Sequence, residues 1–165
     1  MLRQLATLAR IDFRPQHGQP RMSRVLLATV AAVGGTLGAD ALLVVIGQAA
    51  FPGTRGYVHF QFPDYAKLTV IGVAIACAAW PVVTRISSDP RWLFFRMAIL
   101  VTLVLWLPDV YILVRGQPAD AVAVLFLMHL AIALVTYNLL VQLAPPRPAR
   151  SPTSDLPGLI TPPAR

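Results

Sequence analysis

The chain has 165 residues, of which 56% are hydrophobic and only 13% are charged. Soluble domains average about 45–50% apolar and about 25% charged residues, so this composition excludes an ordinary soluble protein and indicates one small integral membrane domain. The net charge of +7 would suit a nucleic-acid-binding protein, but the basic residues flank apolar runs. This placement indicates membrane topology and attraction to anionic lipid, and no nucleic-acid partner is predicted.

Residues 1–24 are predicted to form a basic cytoplasmic leader. Apolar residues recur about every three positions from Leu2 to Ile11, which suits a short helix in the headgroup layer, with a disordered basic tail as the alternative. A cleaved signal peptide is not expected, because the apolar run that follows is much longer than an h-region of about 7–15 residues.

Four apolar runs predict membrane-spanning helices, since each is long enough to cross a hydrocarbon layer as a helix, which takes roughly 17–25 residues. The predicted spans are residues 25–50, 68–86, 92–114 and 119–143. Together they predict an all-α, antiparallel four-helix bundle spanning residues 25–143, with the lipid bilayer as its environment.

The basic residues are distributed unequally between the two sides of this bundle. Eleven lie in the leader, the turn between the second and third spans, and the tail, whereas three (Arg55, Lys67 and Arg115) lie in the other two connections. Because cytoplasmic loops are richer in Lys and Arg, both termini are predicted to be cytoplasmic, in a cytoplasmic (inner) membrane.

The connections have distinct chemistry. Residues 51–67 are rich in aromatic side chains and are predicted to fold back onto the outer mouth of the bundle. One of Ser87, Ser88 and Asp89 is expected to cap the third helix ahead of Trp92. Residues 144–165 are Pro-rich and polar, and are predicted to be a disordered tail.

Two aspartates and one histidine lie well within the spans, and we identify Asp40, Asp109 and His129 as a possible intramembrane polar site. Asp40 and His129 each lie ten residues, or roughly 15 Å, from the outer end of their run, so they are predicted to be level and able to touch. Such a pair could relay protons or hold a polar ligand, or it could simply fix the packing of the helices. Asp109, roughly 8 Å deep and next to Pro108, is more readily explained as structural.

Small residues point to helix packing. Gly34 and Gly38 form a GxxxG motif that lets a second helix approach closely, and a helix of the same chain is favoured over a second copy of the protein. Cys77, the one cysteine, is predicted to be a small packing residue, since it has no partner for a disulfide within the chain.

No catalytic signature is present: the sequence has no GxSxG, Walker loop or HExxH motif and contains no glutamate. No cofactor is predicted, and no spacing motif supports a metal site. The leading hypothesis is a non-enzymatic accessory or structural component of an envelope or transport system, with a possible homo-oligomer or membrane-protein partner. The alternatives are a small proton-coupled transporter using Asp40 and His129, and a membrane enzyme acting on a lipid or quinone.

Two segments, GGTLGADALL at residues 34–43 and LFLMHLAIAL at residues 125–134, carry a resemblance to a known family. With the length and the four-span layout, they resemble a family of small actinobacterial membrane proteins catalogued only as a domain of unknown function. The resemblance implies four helices in the cytoplasmic membrane and implies no activity.

Overall fold

The computed structural model describes residues 17–148, and this part of the chain contains four long α-helices. They are α1 (Met22–Ala50), α2 (Phe62–Ile86), α3 (Pro90–Val114) and α4 (Ala119–Leu143). Each is long and apolar enough to cross a membrane. The predicted all-α, antiparallel four-helix bundle is confirmed, and the chain is a multi-pass membrane protein.

The helices end where the sequence predicts, but three of them begin earlier. The largest difference is in α2, which begins at Phe62 and not at residue 68. Pro63 in the first turn presets a helical φ angle, and Asp64 complements the positive end of the helix dipole. Hydropathy alone missed this turn because it is polar. Helix α3 begins at Pro90, and Asp89 caps it as predicted by accepting a hydrogen bond from the Trp92 backbone N–H (3.3 Å).

The connection between α1 and α2 folds back onto the bundle, as predicted. Two short 3₁₀ helices, Pro52–Thr54 and Val58–Phe60, are separated by Gly56, whose φ of 82° lies in the left-handed region that favours glycine. The Phe60 side chain is buried, in a cluster that includes Val44 of α1 and Met128 of α4.

The two ends of the described chain meet. Strand β1 (His17–Gly18) pairs antiparallel with strand β2 (Arg147–Pro148). Next to this pair, the Trp80 indole N–H donates to the Ala144 carbonyl oxygen (2.8 Å). The disorder predicted for residues 144–165 stays a prediction, although Ala144 and the pair Arg147–Pro148, at the start of that segment, have backbone partners in the chain. The predicted leader helix and the remaining tail lie outside the described residues.

We call the side of the bundle that carries β1 and β2 the terminal face, and the side that carries residues 51–61 and 115–118 the loop face. Both ends of the described chain lie at the terminal face. That this face is cytoplasmic remains a prediction from the distribution of charge.

Helix α4 lies at the centre of the packing, because it contacts each of the other three helices and packs most extensively against α1. Close approach occurs at Gly47, where an added Cβ would lie 2.7 Å from Val124 Cγ2. The predicted role of Gly34 and Gly38 within the chain is wrong: a Cβ at either position would have no atom within 4 Å. The GxxxG motif faces outward because the buried stripe of α1 runs through Ala32, Thr36 and Asp40.

Two apolar clusters fill the interior. The terminal core, on the side of the terminal face, is built around Trp80, Leu140 and Val73 and contains Cys77 as a packing residue, as predicted. The loop-face core is built around Phe60, Val124 and Met128.

Candidate polar site within the membrane

A band of polar side chains lies in the membrane interior, and all four helices contribute to it. Its members are buried or half-buried, and they sit at positions that the apolar stripes of their helices would otherwise occupy. They are Thr36 and Asp40 on α1, Thr69 on α2, Thr102 and Asp109 on α3, and His129 and Thr136 on α4. We call this set the polar band.

Asp40 is the most deeply buried ionisable group among the described residues, with no exposed surface. Its Oδ2 accepts a hydrogen bond from the Thr69 hydroxyl (2.7 Å), which ties α1 to α2. Its Oδ1 is also buried but has no hydrogen-bond partner within residues 17–148. An unsatisfied buried oxygen carries a desolvation cost of about 1–3 kcal/mol. A donor that reached Asp40 Oδ1 would offset this cost, so this oxygen is available to bind one.

Asp109 and His129 form the second tie, between α3 and α4. The His129 Nδ1 lies 3.0 Å from Asp109 Oδ2 and also 3.0 Å from the Leu125 carbonyl oxygen. A single Nδ1–H cannot point at both acceptors, and its direction favours the carbonyl of the same helix. Asp109 Oδ2 therefore lies next to the imidazole but receives no well-directed hydrogen bond from a described residue.

The structure brings the three predicted site residues into one region but pairs them differently from the expected Asp40–His129 contact. His129 contacts Asp109, and Asp40 contacts Thr69. Counting residues along a helix gives the depth of a side chain, but the choice of partner depends on which helices are neighbours and how each is rotated.

Thr69 was missed as a member of this site. It lies on the buried stripe of α2 with Tyr65 and Val73, at a spacing of four residues. That periodicity is visible in the sequence once the helix is taken to begin at Phe62. With a start at residue 68, Thr69 falls in the first turn of the helix. A threonine is common there, so it did not indicate a buried site.

The loop face supplies a further polar group. The hydroxyl of Tyr57 is buried without a hydrogen-bond partner among the described residues, and its ring packs edge-on against Phe60. Burial raises the pKa of Tyr57 above its ordinary value, and the negative charge of Asp109 raises it further. Tyr57 therefore stays protonated and can donate a hydrogen bond. Nearer the surface, His59 Nδ1 lies 2.9 Å from Asp64 Oδ2.

This arrangement can hold or exchange protons among carboxyl, imidazole and hydroxyl groups on the loop-face side. Toward the terminal face, the terminal core places fully buried apolar side chains such as Val73, Trp80 and Leu140 below the polar band. In residues 17–148, no group of three or more His, Cys, Asp or Glu side chains is arranged to hold a metal ion.

Comparison with protein-family models, with curated proteins and with solved structures finds no match to this chain.

Proposed function

We propose that this chain is a non-enzymatic component of a cytoplasmic membrane, accessory to an envelope or transport system. One observation carries the proposal: Asp40, Asp109 and His129, the carboxyl and imidazole groups deep within the spans, each lie against a side chain of a neighbouring helix. Asp40 joins α1 to α2 through Thr69, and Asp109 joins α3 to α4 through His129. Groups used in this way set the rotation and register of helices in lipid, where apolar surfaces alone discriminate poorly between arrangements.

The membrane and the orientation are inferred from charge. Arg85, Arg91 and Arg96 lie in or beside the turn at the terminal face, and Arg147 lies in β2. The positive-inside rule then favours a cytoplasmic terminal face. The resemblance to small actinobacterial membrane proteins is consistent with this placement and implies no catalytic activity.

The test is reconstitution of the full chain into liposomes that contain a pH-sensitive dye, with and without an imposed potential. An accessory component is expected to give no proton flux above that of protein-free liposomes. Asp40→Leu and His129→Ala are expected to lower the thermal stability of the protein. Asp120→Asn, at an exposed position at the start of α4, is the matched control and should change neither readout.

A small proton-coupled carrier is the second candidate. It is favoured by three buried oxygens without hydrogen-bond partners among the described residues: Asp40 Oδ1, Asp109 Oδ2 and the Tyr57 hydroxyl. Intramembrane ionisable groups with spare bonding capacity are typical of ion pathways. Proton flux that Asp40→Asn abolishes without lowering the melting temperature would support the carrier and contradict the accessory role.

A further inference from the structure

An apolar groove of about 230 Å3 runs along the outer side of α3 and α4. Its floor is formed by small or buried residues, Ala98, Thr102 and Ala133, and the surface it presents is entirely apolar. Larger side chains form the walls: Phe95, Ile99, Leu103, Trp106, Leu130, Leu134 and Tyr137. Three wall residues, Phe95, Leu103 and Leu134, are half exposed, so the groove opens to the lipid.

The groove has the length of one membrane leaflet. On α3 it extends from Phe95, near the terminal face, to Trp106, which at 1.5 Å per residue is roughly 16 Å. The hydrocarbon core of a bilayer is about 30 Å thick, so the groove covers about half of it. A partner helix would use the whole thickness, whereas one acyl chain that enters from the leaflet at the terminal face needs only a groove of this length.

Positive charge stands at the terminal-face end of the groove. Arg91 lies one helical turn before Phe95, and Arg96 lies two turns before Leu103, so each continues a wall of the groove. Both arginines are exposed, and neither forms an ion pair with a carboxylate of residues 17–148. The nearest acidic residue in the sequence, Asp89, caps α3.

Amphipathic side chains mark the same end. The Arg96 guanidinium lies 4.0 Å from the centre of the Trp92 ring, which holds it at the level where indole rings prefer to sit. The Tyr137 hydroxyl, on the opposite wall, lies 3.5 Å from the Arg91 carbonyl oxygen. Positive charge and amphipathic side chains therefore gather where the headgroup of a lipid in the groove would lie.

We propose that this groove is a binding site for an anionic phospholipid of the leaflet at the terminal face. One acyl chain lies over Ala98, Thr102 and Ala133, and the phosphate lies between Arg91 and Arg96. The site lies on the outer surface of the bundle and shares only Thr102 with the polar band, so it does not depend on the role proposed for Asp40, Asp109 and His129.

Photolabelling tests the headgroup. The full chain is reconstituted in mixed phosphatidylcholine and phosphatidylglycerol vesicles that contain a trace of a lipid probe with a photoreactive acyl chain. Two probes are compared, one with a phosphatidylcholine headgroup and one with a phosphatidylglycerol headgroup. We expect the phosphatidylglycerol probe to label groove residues of α3 and α4 preferentially. Arg91→Gln and Arg96→Gln should each lower that preference about fivefold. Arg115→Gln, at the loop face, is the matched control and should leave it unchanged.

Filling the groove tests the acyl-chain position. Leu103→Trp acts at a half-exposed wall position and keeps the packed interior intact, and Ala133→Phe acts at the floor. Both should abolish labelling in the groove, whereas Ala74→Phe, on the exposed side of α2, should not. Equal labelling by the two probes, unchanged labelling in Leu103→Trp, or cross-linking of the groove to a second copy of the chain would each overturn the proposal.

Discussion

The Thr69 hydroxyl donates a hydrogen bond to the Asp40 carboxylate, which has no exposed surface. Replacing this hydroxyl with a methyl group therefore tests the polar band. Thr69→Val keeps the shape of the side chain and leaves Asp40 Oδ2 without its donor. We expect the free energy of unfolding to fall by about 1–3 kcal/mol, measured by denaturant titration in detergent micelles.

The matched control is Thr36→Val. Thr36 is also buried, but its hydroxyl donates to the Ala32 carbonyl oxygen of its own helix. That oxygen also accepts a backbone hydrogen bond within the helix. Loss of the hydroxyl should cost less than about 1 kcal/mol. Equal losses in the two variants would contradict a special role for the Thr69–Asp40 bond.

The partner of His129 can be identified by double-mutant cycles. We expect Asp109→Ala and His129→Ala to show an interaction energy of about 1 kcal/mol, because their side chains lie 3.0 Å apart. Asp40→Ala combined with His129→Ala should be additive to within about 0.5 kcal/mol, since Asp40 bonds to Thr69. The reverse ranking would restore the pairing expected from depth alone.

At the scale of the helix, contact between α1 and α4 depends on a glycine. An alanine at Gly47 would bring its Cβ to 2.7 Å from Val124 Cγ2, and neither helix can retreat without disturbing the loop-face core. We expect Gly47→Ala to destabilise the protein by about 1–2 kcal/mol despite the higher helix propensity of alanine. Thermal unfolding in detergent measures this effect.

Gly38→Ala is the matched control for this experiment. A Cβ at Gly38 meets no atom within 4 Å, so the substitution should be neutral or stabilise the helix by up to about 1 kcal/mol. Val124→Ala should partly restore the stability of Gly47→Ala, because it removes the Val124 methyl group that clashes with the added Cβ. A large loss in Gly38→Ala would indicate that this face packs against a second copy of the chain.

The end of α4 is held by a side chain of another helix. The Trp80 indole N–H donates to the Ala144 carbonyl oxygen, and the Trp80 ring is fully buried beside Phe94. Trp80→Phe should therefore lower the free energy of unfolding by about 2 kcal/mol or more, through the lost bond and the space left behind. Trp106→Phe, whose bond to the Phe126 carbonyl is longer (3.3 Å) and partly exposed, should cost less.

At the scale of the whole molecule, the pairing of β1 with β2 places both ends of the described chain on one side of the membrane. In a Cys77→Ala background, Gln117→Cys at the loop face should react with an impermeant maleimide added to intact cells. Ser88→Cys at the opposite turn should react only after permeabilisation. The opposite pattern would invert the orientation inferred from the arginines, and it would leave the fold unaffected.

Much of the architecture follows from local chemistry. Runs of apolar residues predict spans because a helix in lipid satisfies its own backbone, and three of the four predicted helix starts lie within three residues of those observed. The start of α2 was missed because its first turn is polar, although Pro63 and Asp64 are recognisable start signals. The Asp89 cap was predictable because it needs only groups within the same turn.

The sequence by itself determined that the chain crosses the membrane four times, and it identified Asp40, Asp109 and His129 as the carboxyl and imidazole groups deep within the spans. Both conclusions depend on residues close together in the chain. The tertiary structure decided which helices are neighbours, that His129 contacts Asp109 and Asp40 contacts Thr69, and that Gly47 and not Gly38 lies at a close approach. The physical reason is rotation: turning a helix about its axis leaves its hydropathy unchanged but replaces every side chain that its neighbours meet.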